Sequence, residues 1–234
     1  FDHPLAFYSA SGETSAPHSE VMLPRIDASR EEPVLLGVFG FISPYKGIMT
    51  AVKALQILPE KYHLLIFGAL HPNEIRRGYS IHPHLENILE LIAGRQRADL
   101  ASKNASPQAE QINLHIDNLD VLRRARVSMQ DVSHRVHFMG AVRDGEFAAA
   151  MKRCNVVVLP YEEVGQSSSG PLAIANEVGA TIVCSRNKAF LQYERYHPGR
   201  LHFFDIGNYL ELAERIQLAV EMTPATPPSR YSVE

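Results

Sequence analysis

Tryptophan is absent from this sequence of 234 residues, and cysteine occurs only twice, as Cys154 and Cys184. Both cysteines lie in apolar stretches, which argues against a disulfide framework and predicts small buried side chains in a reducing compartment. The chain also lacks an apolar run of the roughly 20 residues that span a bilayer. Its start, FDHPLAFY, has neither an initiator Met nor a signal-peptide pattern. We therefore expect a fragment of a larger cytoplasmic protein.

An excess of positive charge is missing too. The 23 Lys and Arg residues are outnumbered by 26 Asp and Glu residues, which gives a net charge of −3. A protein that binds nucleic acid irrespective of sequence needs a surplus of Lys and Arg, so we expect no nucleic-acid partner. The proportions of hydrophobic (45%) and charged (21%) residues are ordinary for a globular domain with a buried core.

Several familiar site motifs do not occur in the chain. The sequence has no G-x-G-x-x-G of dinucleotide-binding folds, no GxxxxGK[ST] phosphate loop and no G-x-S-x-G nucleophile turn. His82 and His84 flank a proline, but no second pair of ligands follows at the spacing of a zinc site. We therefore predict scattered surface histidines, with no bound metal and no cofactor.

Six short apolar segments, rich in β-branched and aromatic residues, are the main positive signal. They are VLLGVFGF (34–41), HLLIFGA (63–69), RVHFMGAV (135–142), NVVVLPY (155–161), TIVCS (181–185) and LHFF (201–204). Helical patterns lie between them: one after residue 46, one over Leu85–Ile92, one behind a predicted N-cap at Asp144, and one from about Tyr209 to Met222. This alternation predicts an α/β fold, a doubly wound parallel sheet of about six strands in a Rossmann-like, three-layer α/β/α arrangement.

The composition also predicts the limits of the domain. Residues 1–33 are rich in Ser, Pro, Glu and Ala and are expected to be a linker or lead-in, while 34–222 form the domain. Residues 223–234 begin with TPATPP and are expected to be a tail. Within the domain, residues 94–113 are polar and poor in apolar side chains. We interpret them as a mobile surface insertion, with a functional lid as the alternative.

The first segment with unusual chemistry is GFISPYKG (40–47), where a strand ends and a helix is expected to open. Ligands of a doubly wound sheet bind beyond the carboxyl ends of the strands, where helix N-termini offer unpaired N–H groups. Lys46 would add an ammonium group there, and Gly47 would let a ligand approach the backbone. The alternative is a solvated lysine, although a cation in a first helical turn opposes the helix dipole.

The second segment is LPYEEVGQSSSGPLAIANEVGA (159–180). A buried strand ends, a polar loop follows, and Ser169 or Gly170 is a suitable N-cap for an apolar helix with Pro171 at its first position. Ser167 to Gly170 offer successive N–H groups and hydroxyls with little bulk, which favours an anion-binding nest. The alternative is a capped helix behind a flexible loop.

In this order and about 120 residues apart, the two segments resemble the C-terminal domain of GT-B glycosyltransferases, in particular the large retaining, family-4-type group. VHFMGAV, followed by Arg143-Asp144, supplies a third matching landmark between them. The resemblance covers residues 34–222. It rests on the order and spacing of the motifs, since each motif is moderately specific by itself.

The resemblance implies a role for each matching position. Lys46 would contact the donor phosphates and Gln166 a hydroxyl of the sugar, which makes these two residues the catalytic candidates. Backbone groups past the third strand would line the base pocket. The donor-binding candidates are Gly47, Ser167, Ser168, Ser169 and Gly170 around the diphosphate, and Gly140, Ala141 and Val142 around the base.

The chain departs from the family pattern at two places. Phe41 and Ser43 stand where many members have an arginine, and Gln166 and Ile174 stand where many have the glutamates of an E-x7-E pair. Ile174 cannot accept a hydrogen bond from a ribose hydroxyl. In this respect the chain resembles a subset with a QSSSG loop that does without the pair.

The resemblance implies transfer of a glycosyl group from a nucleoside-diphosphate sugar to an acceptor hydroxyl. Fixed N–H and cationic groups would stabilise the leaving diphosphate, so no metal is implied. The acceptor would bind an N-terminal domain of the same protein, without which the fragment is expected to be inactive, and the full-length protein could associate peripherally with a membrane. Three alternatives remain open: a catalytically inactive GT-B-fold interaction module, a GT-B epimerase or phosphorylase, and an unrelated flavodoxin-like or regulator-like domain.

Overall fold

The structure, a computed structural model, describes residues 23–24, 26, 31–70, 82–95, 130–142, 144–165 and 168–222. The predicted tail, 223–234, lies outside these ranges. So do nearly all of the predicted lead-in, 1–33, and nearly all of the predicted insertion, 94–113. The limits of the domain therefore stay predictions.

Six strands form one sheet in which every pairing is parallel. The strands are β1 (Val34–Phe39), β2 (Tyr62–Phe67), β3 (Val136–Gly140), β4 (Val156–Leu159), β5 (Ile182–Ser185) and β6 (Leu201–Phe204). Their order across the sheet is β3-β2-β1-β4-β5-β6. The predicted doubly wound, Rossmann-like sheet of six strands is confirmed. Several strands are shorter than predicted, because the apolar pattern runs on into the following turn, as at Gly40 after β1, where φ is 112°.

Within the described ranges, six α-helices lie between and after the strands. They are α1 (Ile48–Ile57), α2 (Pro83–Ile92), α3 (Asp144–Arg153), α4 (Gly170–Glu177), α5 (Lys188–Tyr196) and α6 (Tyr209–Met222). The predicted limits of α6 are confirmed. Asp144, the predicted N-cap, is instead the first residue of α3, so the helix begins one position earlier than predicted. The sequence patterns did not indicate α5, of whose residues Phe190 alone is fully buried.

The helices cover both faces of the sheet and create two hydrophobic cores. Leu64 and Ile66 point to a core shared with α1, α2 and α6, while Leu65 and Phe67 point to a core shared with α3, α4 and α5. Alternate side chains of a strand point to opposite faces, so a strand covered on both sides must be apolar throughout. This explains why the strands are continuous apolar runs, and it gives the three predicted layers.

The strand order places a crevice between β1 and β4. The chain proceeds from β1 through β2 to β3 in one direction and from β4 through β5 to β6 in the other, so the order reverses between β1 and β4. Connections that leave two neighbouring strands in opposite directions open a crevice at their carboxyl ends. The two segments with unusual chemistry follow these two strands.

The prediction that both cysteines are buried and form no disulfide is confirmed. Cys154 and Cys184 are both buried and free, and burial raises the pKa of the Cys154 thiol to about 12. Among the described residues, no three His, Cys, Asp or Glu side chains are arranged to hold a metal ion. None of the described helices combines the length and hydrophobicity needed to cross a bilayer.

Candidate functional site

The turn after β1 is tighter than the sequence predicts. Pro44–Lys46 form one turn of 3-10 helix, and Gly47, in the left-handed region at φ 64°, caps α1. The Gly47 carbonyl accepts hydrogen bonds from the amides of Thr50, at 2.9 Å, and Ala51, at 3.3 Å. Lys46 therefore ends the turn before α1 and lies outside that helix. This corrects the expectation that Lys46 and Gly47 open it.

Gly47 lies directly against the end of β4. A Cβ placed on Gly47 would lie 1.8 Å from the carbonyl oxygen of Pro160, far inside contact distance. The chain beyond Gly47 therefore approaches β4 so closely that no side chain fits. The glycine is required by the protein's own packing between the two crevice walls.

Lys46 is buried, with 4% of its surface exposed. Its ammonium Nζ donates a hydrogen bond of 2.6 Å to the phenol oxygen of Tyr161 and lies 3.9 Å from the centroid of the Tyr161 ring. The Tyr45 ring lies 5.1 Å from Nζ. Burial lowers the pKa of Lys46 to about 8. The alternative interpretation, a solvated lysine, is therefore wrong.

The helix after β4 begins as a capped, partly open N-terminus. Ser169 is the N-cap of α4, and its hydroxyl accepts a bond of 3.4 Å from the amide of Leu172. Pro171 is the second helical residue, one position later than predicted. Gly170 is exposed, and nothing lies within 4 Å of a Cβ placed on it. The first turn of α4 thus leaves room for a ligand at Gly170.

Tyr161 joins the two segments, although sequence analysis assigned it no role. Its phenol oxygen accepts a hydrogen bond from Lys46. Burial raises the pKa of this phenol, and the nearby Ser169 side chain offsets part of that rise. A backbone bond of 2.8 Å from the Glu162 amide to the Tyr45 carbonyl also links the loop after β4 to the turn after β1. Lys46 and Ser169 therefore lie in one crevice, as the sequence predicts. Gln166 and Ser167 lie outside the described residues.

The predicted base-binding positions lie at the carboxyl end of β3, the outermost strand on one side of the sheet. Gly140 has φ 74° and is exposed, Ala141 is exposed, and Val142 is half-buried against the core under α3. β3 lies two strands from β1, which is roughly 10 Å at the usual strand spacing. These residues and Lys46 thus lie at the carboxyl ends of strands of the same sheet, but two strands apart.

The carboxylates near the predicted sugar position differ in their surroundings. The Glu163 carboxylate accepts hydrogen bonds from the amides of Lys188, at 2.8 Å, and Gly165, at 3.2 Å. It therefore fastens the loop after β4 to the start of α5. Glu162 is exposed, and Ile174 packs against the core under α3 to α5. Ile174 thus has a packing role at the position where the resembled family often has a glutamate.

The buried ammonium predicts a pH dependence of stability. The pKa of Lys46 is about 8 in the folded chain against 10.5 for a free lysine. The unfolded chain therefore binds more protons between these values, and stability rises with pH across that window. We expect the wild type to gain about 3 kcal/mol relative to Lys46→Met between pH 8 and 10.5. Urea unfolding of both proteins at several pH values measures this difference, and parallel pH curves would show that Lys46 is not buried as a cation.

Comparison with known proteins finds similarity in structure alone, since no family model and no curated protein matches the sequence. HepE from Anabaena, in complex with UDP and glucose, has a TM-score of 0.55 and 16% identity, over 82% of this chain and 39% of that one. Sucrose-phosphate synthase from Thermosynechococcus elongatus has a TM-score of 0.53 and 18% identity, over 82% of this chain and 37% of that one.

A third similar structure is itself a domain. The C-terminal domain of LpcC, a glycosyl transferase group 1 family protein from Francisella tularensis, has a TM-score of 0.50 and 11% identity, over 81% of this chain and 77% of that one. The present chain spans about two fifths of the HepE and sucrose-phosphate synthase chains. At these identities the similarity establishes a shared α/β fold.

Proposed function

We propose that this chain is the donor-binding half of a GT-B glycosyltransferase of the retaining, family-4-type group. It holds a nucleoside-diphosphate sugar while the glycosyl group, a hexose, passes to an acceptor hydroxyl. The acceptor site belongs to an N-terminal domain of the same protein. Two of the proteins with a similar fold, HepE and LpcC, support this proposal, since HepE was captured with UDP and glucose and LpcC is described as a glycosyl transferase.

One observation carries the proposal: a buried ammonium and an open helix N-terminus share the crevice between β1 and β4. Lys46 Nζ lies 2.6 Å from the phenol oxygen of Tyr161, and the Glu162 amide joins the loop that leads to α4 to the Tyr45 carbonyl, at 2.8 Å. A cation and the free N–H groups of a helix start both favour an anion. In a doubly wound sheet the crevice at the strand-order reversal is where ligands bind. A diphosphate matches this pairing in charge and position.

The same groups suit the chemistry of glycosyl transfer. When the bond between the sugar and the diphosphate breaks, negative charge accumulates on the leaving diphosphate. Lys46 is 4% exposed, so its ammonium acts in a low dielectric. This ammonium and the amides of Ser168 to Gly170 are in place before the reaction begins. Gln166 is proposed to bind a sugar hydroxyl, and Gly140 to Val142 the base. None of these steps needs a metal.

A panel of nucleotides tests donor binding. We expect UDP or GDP to raise the melting temperature of the chain by several degrees at about 100 times the dissociation constant, because ligand binding then adds about 2.7 kcal/mol of stability. The corresponding monophosphate should raise it less, since it offers one phosphate. If no nucleoside diphosphate changes the melting temperature or gives heat in titration calorimetry, the catalytically inactive interaction module is the better interpretation.

The same chain also tests the proposed division of labour between two domains. We expect it to bind the donor weakly and to transfer no sugar, because the acceptor-binding half is missing. Incubation with radiolabelled nucleotide-sugars and a panel of sugar acceptors measures transfer. Labelled product from this chain by itself would contradict the assignment of the acceptor site to another domain.

A further inference from the structure

Tyr161 is held in place from several directions. It is 1% exposed at the end of β4, and its ring packs 5.2 Å from that of Phe190 and 5.9 Å, edge-on, from that of Tyr45. Its backbone carbonyl accepts a hydrogen bond of 2.5 Å from the hydroxyl of Ser185, the last residue of β5. The phenol oxygen therefore has a fixed position between the two walls of the crevice.

This oxygen lies between opposite walls of the crevice. The ammonium of Lys46 hydrogen-bonds it from the turn after β1, at 2.6 Å. The Ser169 side chain, at the N-cap of α4, is near enough to offset part of the rise in the pKa of the phenol that burial causes. An ammonium carries donors and no lone pair, so Tyr161 accepts from Lys46. One of the three ammonium protons is used in this bond. Its direction fixes where the other two point.

The hydroxyl of Tyr161 is not needed to fill the core. A phenylalanine would keep the ring contacts with Phe190 and Tyr45, and the face over which the Lys46 ammonium lies. It would lack the oxygen that accepts the hydrogen bond from Lys46. A buried cation without its hydrogen-bond acceptor is costly. The oxygen thus serves the polar groups of the crevice.

We propose that Tyr161 is a positioning residue of the diphosphate site, whose hydroxyl directs the Lys46 ammonium at the anion that the N-terminus of α4 also faces. This inference deepens the proposed function and rests on it, because the anion is the diphosphate of the donor. Tyr161 acts through Lys46. Its hydroxyl sets the geometry of the site and the protonation of Lys46.

The protonation of Lys46 supplies a readout that a purely structural role would not change. Among the residues that the structure describes, the rings of two titratable side chains lie against the ammonium: Tyr161 from the loop after β4, and Tyr45 from its own turn. Gly40, the residue after β1, also lies beside the lysine side chain: a Cβ placed on Gly40 would be 3.0 Å from Lys46 Nζ. A hydrogen bond accepted from the ammonium favours the charged form, and burial opposes it. Loss of the phenol oxygen should therefore lower the pKa of Lys46 further.

The test compares Tyr161→Phe with Tyr62→Phe. Tyr62 is also buried, at 4% exposure, but it begins β2 at the opposite end of the sheet. We expect Tyr161→Phe to weaken UDP binding about tenfold at pH 7, the effect of losing one hydrogen bond to a charged group. Its affinity should also decline at a lower pH than that of the wild type. Titration calorimetry from pH 6.5 to 9 measures both effects, and Tyr62→Phe should match the wild type.

A second measurement reports on Lys46 directly. NMR titration of the side-chain signals of the lysines, with Lys46 assigned by its absence in Lys46→Met, should show a lower pKa for Lys46 in Tyr161→Phe than in the wild type. An equal loss of UDP affinity at every pH, with an unchanged titration of Lys46, would make Tyr161 a packing residue and overturn this inference. A wild-type chain that binds neither UDP nor inorganic pyrophosphate would instead overturn the proposed function, and the diphosphate role of Tyr161 with it.

Discussion

Gly47→Ala is expected to destabilise the fold by about 4 kcal/mol. A left-handed conformation costs an alanine about 1–2 kcal/mol. The larger part comes from the new methyl group, which would lie 1.8 Å from the Pro160 carbonyl oxygen. This oxygen belongs to the backbone just after β4, so it cannot rotate away as a side chain could. Either the turn after β1 or the end of β4 must then move, and both are walls of the crevice.

Gly179→Ala is the matched control for this experiment. Gly179 also has a left-handed conformation, at φ 71°, and nothing lies within 4 Å of its added Cβ. It should lose about 1 kcal/mol, the conformational cost without a clash. Urea unfolding of the three proteins separates the two contributions. Equal losses for the two variants would show that Gly47 and Pro160 are not in close contact.

Lys46→Met is expected to weaken the binding of UDP by about 30- to 100-fold at pH 7, while leaving the chain folded. A charge-assisted hydrogen bond to a phosphate is worth about 1.5–3 kcal/mol, and the buried ammonium offers more than one. Methionine keeps the length and volume of the side chain and needs no burial of charge. Stability at pH 7 should therefore hold or increase.

Lys53→Met is the control for the loss of a cation. Lys53 lies on the same stretch of chain, in α1, and is half-buried. Removing it changes the net charge of the protein by the same amount. UDP affinity should stay within about twofold, because a charge that is partly exposed to water is screened by solvent. Titration calorimetry with UDP measures both variants. Unchanged affinity in Lys46→Met would remove Lys46 from the phosphate site.

The sheet could be predicted from the sequence because burial on both faces leaves a strong signal. VVVL in β4 has no polar residue at any position, and a two-sided core requires this. The ends of the strands carried a weaker signal. The predicted strands include Gly40 and Pro160, which lie just beyond the observed ends of β1 and β4.

Helix α5 was not predicted because little of it contacts the core. In KAFLQYERY, Phe190 is fully buried and Ala189 and Tyr193 pack partly buried against the same core, while Leu191 and Tyr196 are exposed, so the apolar residues are divided between a buried and an exposed face. Its N-cap, Asn187, accepts a hydrogen bond from the Phe190 amide. An Asn cap before an aromatic residue is a usable signal. In this segment the many polar residues outweighed the signal of the Asn cap.

The two halves of the site were predictable, but the residue between them was not. Lys46 and Ser169 stood out because a lysine and a run of small polar residues follow apolar strands. Tyr161 lies 115 positions from Lys46, and a tyrosine that ends a strand is common. Its position between the two depends on β1 and β4 being neighbours in the sheet. No local pattern encodes that pairing.

The adjacency of β1 and β4 also has a consequence for the order in which the chain acquires its properties. During synthesis, β1 and β2 emerge well before β4, so the crevice has one wall until the second half of the domain has been made. A ligand that needs Lys46 and the start of α4 together has no place to bind on the growing chain. Loss of either half by local opening would release it, so a bound donor would hold the amino-terminal and carboxyl-terminal halves together as one cooperative unit.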